Sequence, residues 1–359
     1  MIKRLIVKNL NGRFDFDLTF HRDLNILVGQ NGCGKTSLLK LMWYVYSGNI
    51  YRFASELIFD KVYLETFDSK IELKKERNKL RRNTDSYQIK VNGQYLADFD
   101  PIELAGMDLG IDNESGDIIA TNNSIFMPTY RRVEGGFGTN RTNEVLSNDF
   151  NNHSNSLSTY HKLYQSDRII SHKFVTSVST NDIVNVVTAK YSDISQELRK
   201  LQEAESEFIL KNTSNGKGAE VALKDIQAAV ETNDEKRKEL LQSMTVLSNF
   251  VKKIIKNKKI QLTEKLYLGE GEVVKPDKLS FGEKQMLSFL CYNFFADDTI
   301  IIIDEPEMSL HGDWQRILFP VLMEQNTTNQ FIIASHSPFI YAKYPDKRIV
   351  LTQQEAVVA

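Results

Sequence analysis

Apolar and polar side chains alternate along IKRLIV and again along FDFDLTF, with Asn11 and Gly12 between the two runs. Period-two patterning suits a strand with one buried face, and Asn-Gly marks a tight turn, so the start of the chain is predicted to be a hairpin. A third apolar run, LNILVG, enters a glycine-rich loop, after which SLLKLMWYVYSG has helical spacing that stops near Gly48. The predicted order there is strand, loop, helix. From Lys61 to Leu96 the segments KVYLETF, KIELKKE and YQIKVNGQYL alternate again around a basic loop with Lys79, Arg81 and Arg82, and predict a small antiparallel meander. SIFMPTYRR reads as another strand, and the Gly-, Asn- and Ser-rich stretch GGFGTNRTNEVLSNDFNNHSNS as a mobile connection.

Between about Thr159 and Lys259 the chain is polar with helical apolar spacing, as in ISQELRKLQEAESEFIL and VALKDIQAAVETNDEKRKELLQSM, broken by NTSNGKG. This predicts the two helices of an exposed hairpin arm, a short coiled-coil-like pair, because heptads are not sustained over many turns. Alternating α/β character then returns, with a helix from Gly282 through Phe295, the strand TIIIID, a helix near Trp314 to Glu324 and the strand QFIIAS.

With 359 residues and 41% hydrophobic content, the chain can bury a full core. Its net charge of -2 neither demands nor excludes a nucleic-acid partner. Two cysteines, Cys33 and Cys291, are too few for a disulfide framework and suit a reducing compartment, so a cytoplasmic location is expected. No stretch approaches the roughly 20 apolar residues that span a bilayer, and no membrane association is expected of the chain itself. The basic run from Lys74 to Arg82 and the cluster Lys252, Lys253, Lys256, Lys258 and Lys259 would suit the backbone of double-stranded DNA. A solvated or acid-balanced face is the plainer account of both.

Three segments carry chemistry. Gly29 through Thr36, GQNGCGKT, fits GxxxxGK[ST] between a predicted strand and helix, the context that makes that pattern meaningful. Backbone N–H groups of Gly29, Asn31, Gly32, Cys33 and Gly34 would cradle phosphate oxygens, Lys35 would neutralise their charge and the Thr36 hydroxyl would hold magnesium, with Ser37 completing the site. The Cys33 side chain is expected to sit passively. The run Thr299 to Glu305 places four isoleucines before two acids, as a buried parallel strand delivering carboxylates to its C-terminal edge would. Asp304 would hold the magnesium and Glu305 would polarise the attacking water as general base. In LSFGEKQ, Ser280 and Gly282 at a helix start offer a hydroxyl, bare N–H groups and a dipole to a terminal phosphate, while Ser280 with Glu283 also satisfies a capping box. Both readings stand together.

As an ordered set, GQNGCGKTS, PTYRR, LSFGEKQ, IIIIDEPEMSLH and IIASHSP resemble the ATPase heads of the SMC, RecF and OLD-like branch of the ABC superfamily. The resemblance implies an α/β fold, an ABC-type P-loop NTPase head whose mixed sheet carries an antiparallel subsheet, with a helical or short coiled-coil insertion. The N-terminal lobe would be residues 1–135, the insertion 136–265 and the C-terminal lobe 266–359. It further implies ATP with Mg2+, and a head-to-head dimer or higher oligomer in which the signature residues Ser280, Gly282 and Glu283 face the phosphate loop of a second copy. By the same resemblance Met308 to His311 is the D-loop, and His336 senses the γ-phosphate, joining Glu305 and Lys35 as catalytic residues. Where the family usually carries a Q-loop glutamine this chain has Tyr130, Arg131 and Arg132. Arg131 could bind phosphate, couple the site to the arm, or form only a surface ion pair.

EPEMSLHGDWQ and SHSP resemble in particular the ATPases of OLD-type and related bacterial antiphage systems. The chain stops some twenty residues past His336, without space for the nuclease that OLD proteins fuse there. The resemblance therefore implies an effector nuclease or toxin subunit in trans, as in PARIS-like and Septu-like pairs. A RecF- or SMC-like DNA repair ATPase is the alternative, and a transporter subunit fits poorly because the insert is large and the glutamine absent.

Overall fold

The computed structural model describes residues 1–48, 56–77, 85–99, 123–129, 132–133, 172–175, 177–178, 180–214, 227–238, 240–242, 245, 249, 260–262, 266–268, 272–273, 279–325 and 328–351. Two sheets of unlike construction organise them. The first is antiparallel, in the order β2 (Phe14–Thr19), β1 (Ile2–Leu10), β4 (Lys61–Thr66), β5 (Lys70–Arg77), β6 (Asp85–Val91), β7 (Gln94–Phe99). Its alternation has a direct physical outcome. Leu5, Val7, Val62, Leu64, Ile71, Leu73 and Ile89 are buried on one face, whereas the other residues of the same strands form the ion pairs Arg4–Asp17, Lys8–Asp15, Lys61–Glu72 and Lys74–Glu76. The segment YQIKVNGQYL folds back on itself because Asn92 and Gly93 both take left-handed backbone (φ 53° and 81°), the geometry of a two-residue hairpin turn.

The second sheet is parallel throughout, in the order β10 (His172–Phe174), β8 (Ser124–Met127), β15 (Ile300–Asp304), β16 (Gln330–Ala334), β3 (Leu24–Val28), β17 (Arg348–Val350). Helices cover both faces, so its central strands are apolar on both sides. Ile300 and Ile302 join the core with α1 (Lys35–Tyr46) and the antiparallel sheet. Ile301 and Ile303 join the opposite core with α3 (Phe281–Phe295) and α4 (Gly312–Glu324). Gln330 ties the sheets together: its side chain accepts from the Ile2 amide and donates to the carbonyls of Ile2 and His21, all at 2.8 Å.

The arm begins with α2 (Thr180–Ser214), which at 35 residues is roughly 50 Å long. Between 192 and 211 only Ile194 is buried, with Leu198, Leu201, Glu205 and Ile209 half-buried along one stripe. A second helical stretch, 227–238, lies along it. Leu240 packs on the cluster that holds Ile194 and Leu198, and Arg237 pairs with Glu205 further along α2, as an antiparallel pair would place them. The apolar cluster of Ile194, Leu198, Leu240 and Phe294 roots this hairpin on the C-terminal end of α3.

The span 136–265 is not wholly helical. It supplies the edge strand β10, the strand β11 (Ser177–Val178) that pairs with β9 (Arg132–Val133), and β12 (Ile260–Leu262) of a small sheet completed by β13 (Leu266–Leu268) and β14 (Glu272–Val273). Strands of two or three residues carry too little periodicity to be told from helix or loop. The Gly-, Asn- and Ser-rich connection, Arg131, Tyr130 and the lysine cluster 252–259 lie outside the described residues.

Candidate active site

Because the second sheet is parallel, its strands deliver their C-terminal ends to one edge, where ligands of open α/β sheets bind. Asp304 is in register with Ala334, Ala334 with Leu27, and Ile303 with Met127. The residues that follow these strand ends, Gly29–Thr36, Thr129, Glu305 and Ser335–His336, are thereby gathered although they are spread across some 300 positions of the sequence.

The loop after β3 turns through left-handed Gly32 and Gly34 (φ 78° and 88°) into α1, with Gly34 as the N-cap. A Cβ on Gly29 would lie 2.7 Å from the Cys33 sulfur and 3.0 Å from the Leu351 carbonyl oxygen. The buried Cys33 thiol thus packs beneath Gly29, and its sulfur accepts from Lys35 Nζ at 3.7 Å. Asn31 is exposed, and Ser37 Oγ accepts from Asn11 Nδ2 at 3.1 Å, which docks the β1–β2 turn on the first turn of α1. Lys35 is buried, and its Nζ donates to the carbonyls of Gly29 at 3.0 Å and Gln30 at 3.1 Å. Such an ammonium satisfies itself on the loop's own carbonyls and is placed to neutralise an anion cradled there.

Opposite the loop, Asp304 is fully buried, and its Oδ2 accepts from Thr36 Oγ1 at 2.9 Å and from Thr129 Oγ1 at 2.5 Å. The Asp304 carboxylate with the Thr36 and Thr129 hydroxyls is a hard-oxygen donor set of the kind Mg2+ takes in nucleotide sites. Among the described residues no cluster of three or more His, Cys, Asp or Glu could hold a metal by itself. The Asp304 carboxylate and the Thr36 hydroxyl, 2.9 Å apart, fit an ion that would take its remaining ligands from a bound polyphosphate. Glu305 takes left-handed backbone (φ 48°), a strained conformation for a non-glycine residue, and its amide donates to the Ala334 carbonyl at 2.9 Å. Burial pushes its carboxyl pKa up, as do the neighbouring charges of Asp304 and Glu307, against the opposing pull of His336 and Lys35.

Two further loops join this edge. Ser280 caps α3, accepting from the Glu283 amide at 3.3 Å while Glu283 accepts from the Ser280 amide at 2.6 Å, so the capping box is formed. The Ser280 oxygen acts there as acceptor, which leaves its hydroxyl hydrogen for another ligand. A Cβ on Gly282 would lie 2.7 Å from the Ser309 carbonyl oxygen and 3.1 Å from the Trp314 ring, and Gln285 donates to the Pro306 carbonyl at 3.2 Å. The start of α3 is therefore pressed against the turn 306–310. His336 is exposed, but its backbone is held: Glu307 accepts from the His336 amide at 2.5 Å and from Ser335 Oγ at 3.0 Å.

A family model for the AAA ATPase domain matches residues 1–341. The chain belongs to that family. Together with the two-sheet head, the match fits the ABC-type P-loop ATPase head expected from the sequence. This AAA ATPase is 21% identical to the Escherichia coli protein named Retron Ec83 probable ATPase, over 90% of this chain and 65% of that one. It is 37% identical to Endonuclease GajA of Bacillus cereus over 19% of this chain and 13% of the endonuclease. It is 38% identical to the DNA replication and repair protein RecF of Actinobacillus succinogenes, over 17% of this chain and 18% of RecF. The chain spans less than two thirds of the length of each of these relatives.

The ATPase brings Lys35, Thr36, Asp304, Glu305 and His336 to one edge, and sets Ser280, Gly282 and Glu283 at the start of the helix behind the adjoining turn. Arg131 lies outside the described residues. Two residues at this edge carry no motif in the sequence: Thr129 is an ordinary threonine within PTYRR, and the only signal of Glu307 is a second acid two positions after Glu305. Of the basic run, Lys74 is paired with Glu76, and Lys79, Arg81 and Arg82 lie outside the described residues. No helix among the described residues is long and apolar enough to cross a membrane.

Proposed function

We propose that this ATPase is a nucleotide-driven switch in which two copies close head to head around two ATP molecules and part on hydrolysis. The observation that carries the reading is the Thr36–Asp304 hydrogen bond, which joins the phosphate loop to the acidic strand across 268 positions beside Lys35 and Glu305. In this reading Gly29, Asn31, Gly32, Cys33, Gly34, Lys35 and Ser37 bind the phosphates, and Thr36 and Asp304 hold Mg2+. The bound ion would offset charge on the phosphoryl oxygens. Glu305 polarises the attacking water, His336 contacts the terminal phosphate, and Ser280 and Gly282 of each copy complete the pocket of the other. The residues on either side, 1–135 and 266–359, act as one head, and the hairpin within 136–265, rooted on α3, relays its closure outward.

For the biological setting we favour the sensor or scaffold ATPase of an antiphage defence system that holds a nuclease or toxin subunit in trans. The extended similarity to a retron ATPase supports this reading, and the local similarity to an endonuclease is compatible with it. A DNA repair ATPase is the second reading, favoured by the short RecF match. Purification of the native complex separates them: a co-purifying nuclease or toxin subunit supports defence, while recombination proteins or duplex DNA in its place reject it. Duplex binding, if present, weakens steeply as salt rises. The catalytic assignment is tested by Glu305→Gln, which should abolish turnover and keep ATP bound in a closed dimer; normal turnover refutes it.

A further inference from the structure

The loop that carries His336 is fastened from one side. Glu307 takes the His336 amide on one carboxylate oxygen at 2.5 Å and the Ser335 hydroxyl on the other at 3.0 Å. Ser335 Oγ in turn accepts from the Ser337 amide at 3.0 Å. Ser337 Oγ donates to Gln315 Oε1 at 2.5 Å, and Gln315 Nε2 donates to the Leu310 carbonyl at 2.8 Å. Both ends of the fastening thus lie on the turn 306–310. That turn is itself tight: Ser309 is left-handed (φ 64°), and the Met308 amide donates to the Glu305 carbonyl at 3.2 Å. Met308 and Ser309 are exposed, while the Ser309 carbonyl sits against Gly282 of α3.

We infer that Glu307 is a positioning residue, a two-pronged clasp that makes the placement of His336 depend on the exposed turn 306–310. This inference rests on the proposed nucleotide switch and deepens it. A surface that presses on Met308 and Ser309 shifts Glu307, and with it the backbone of Ser335 and His336, before any side chain of that surface reaches the nucleotide. The surface that fits is a second copy of this chain closing on the same edge. Glu307 touches no reacting atom; it acts by fixing the main chain from which the imidazole projects, and displacements near 1 Å at such a group can cost about a hundredfold in rate.

The test compares three variants with the wild-type chain. Glu307→Ala should lower kcat by roughly tenfold or more while the KM for ATP and the nucleotide Kd stay within about twofold, because no group that touches the nucleotide is removed; the lost charge near Glu305 is shared by Glu307→Gln, which controls for it. Glu307→Gln can keep both contacts, its oxygen accepting from the His336 amide and its amide donating to a rotated Ser335 hydroxyl, and should recover most of the rate. Ser335→Ala removes one prong and should fall between them. Hydrogen exchange of the peptide holding His336 should quicken in Glu307→Ala. An unchanged kcat in Glu307→Ala, a Glu307→Gln variant as slow as Glu307→Ala, or a nucleotide affinity that falls with kcat would each overturn the clasp. A wild-type chain without turnover would sink the switch reading instead, and the exchange measurement would still decide the clasp: equal protection at His336 in both chains refutes it.

Discussion

At the carboxyl edge of the parallel sheet, each reactive group stands at the end of a strand buried on both faces, and register sets its height relative to its neighbours. The arm is built the other way. Its long helix exposes most of its side chains between 192 and 211, and among the described residues a small apolar cluster around Phe294 and Ile194 ties it to the head. Placement in the head comes from packing that leaves few alternatives, whereas the described part of the arm buries few side chains, as expected of an element that opens before the core does. The same contrast underlies the proposed division between chemistry in the head and transmission by the arm.

The comparison can be broken first at the chemistry. Glu305→Gln should reduce turnover by about 10²- to 10⁴-fold while calorimetric ATP binding persists. Loss of binding in that variant would mean the carboxylate shapes the pocket rather than acting on water. Lys35→Ala should weaken nucleotide binding by roughly tenfold to a hundredfold, since it removes a charge-assisted contact to phosphate; an unaltered Kd would deny the loop its role.

Packing is the next level. Ile302→Ala in the sheet should cost about 2–5 kcal/mol in urea unfolding, towards the upper end because both faces are filled. Ile194→Ala at the arm root should cost less, and exchange should quicken in the arm while the sheet stays protected. Equal global losses from the two would erase the distinction. Gly282→Ala should destabilise by about 1–3 kcal/mol, since its Cβ meets the Ser309 carbonyl at 2.7 Å. That loss in the free chain would separate the packing role of this glycine from any role towards phosphate.

The smallest expected effect concerns pH. The pKa of Glu305 is raised by burial and by Asp304 and Glu307, and a general base works only when deprotonated. The acid limb of the turnover profile should therefore lie at higher pH than that of an ordinary glutamate. A limb at or below the usual carboxylate range would contradict the assignment.

The same contrast governs how much could be read in advance. The run of four isoleucines announced β15 because both its faces are buried, and Gly29–Thr36 announced its loop because phosphate binding demands bare backbone at fixed spacing. The strands of the antiparallel sheet were legible through alternation. Less was legible where a contact is made between side chains remote in sequence and ordinary in type. Glu307 looks like any surface acid until the fold sets Ser335 and His336 beside it, and Thr129 gains meaning only when β8 pairs with β15. β10 escaped because His-Lys-Phe at a sheet edge carries no pattern of its own.

One measurement reaches the centre of the account: the mass in solution of Glu305→Gln with and without ATP and Mg2+. Two chains of 41.2 kDa should associate only when nucleotide is present, and wild-type turnover per chain should rise with protein concentration. A chain that stays single with nucleotide bound, and hydrolyses ATP at a rate independent of its own concentration, would contradict the shared pocket.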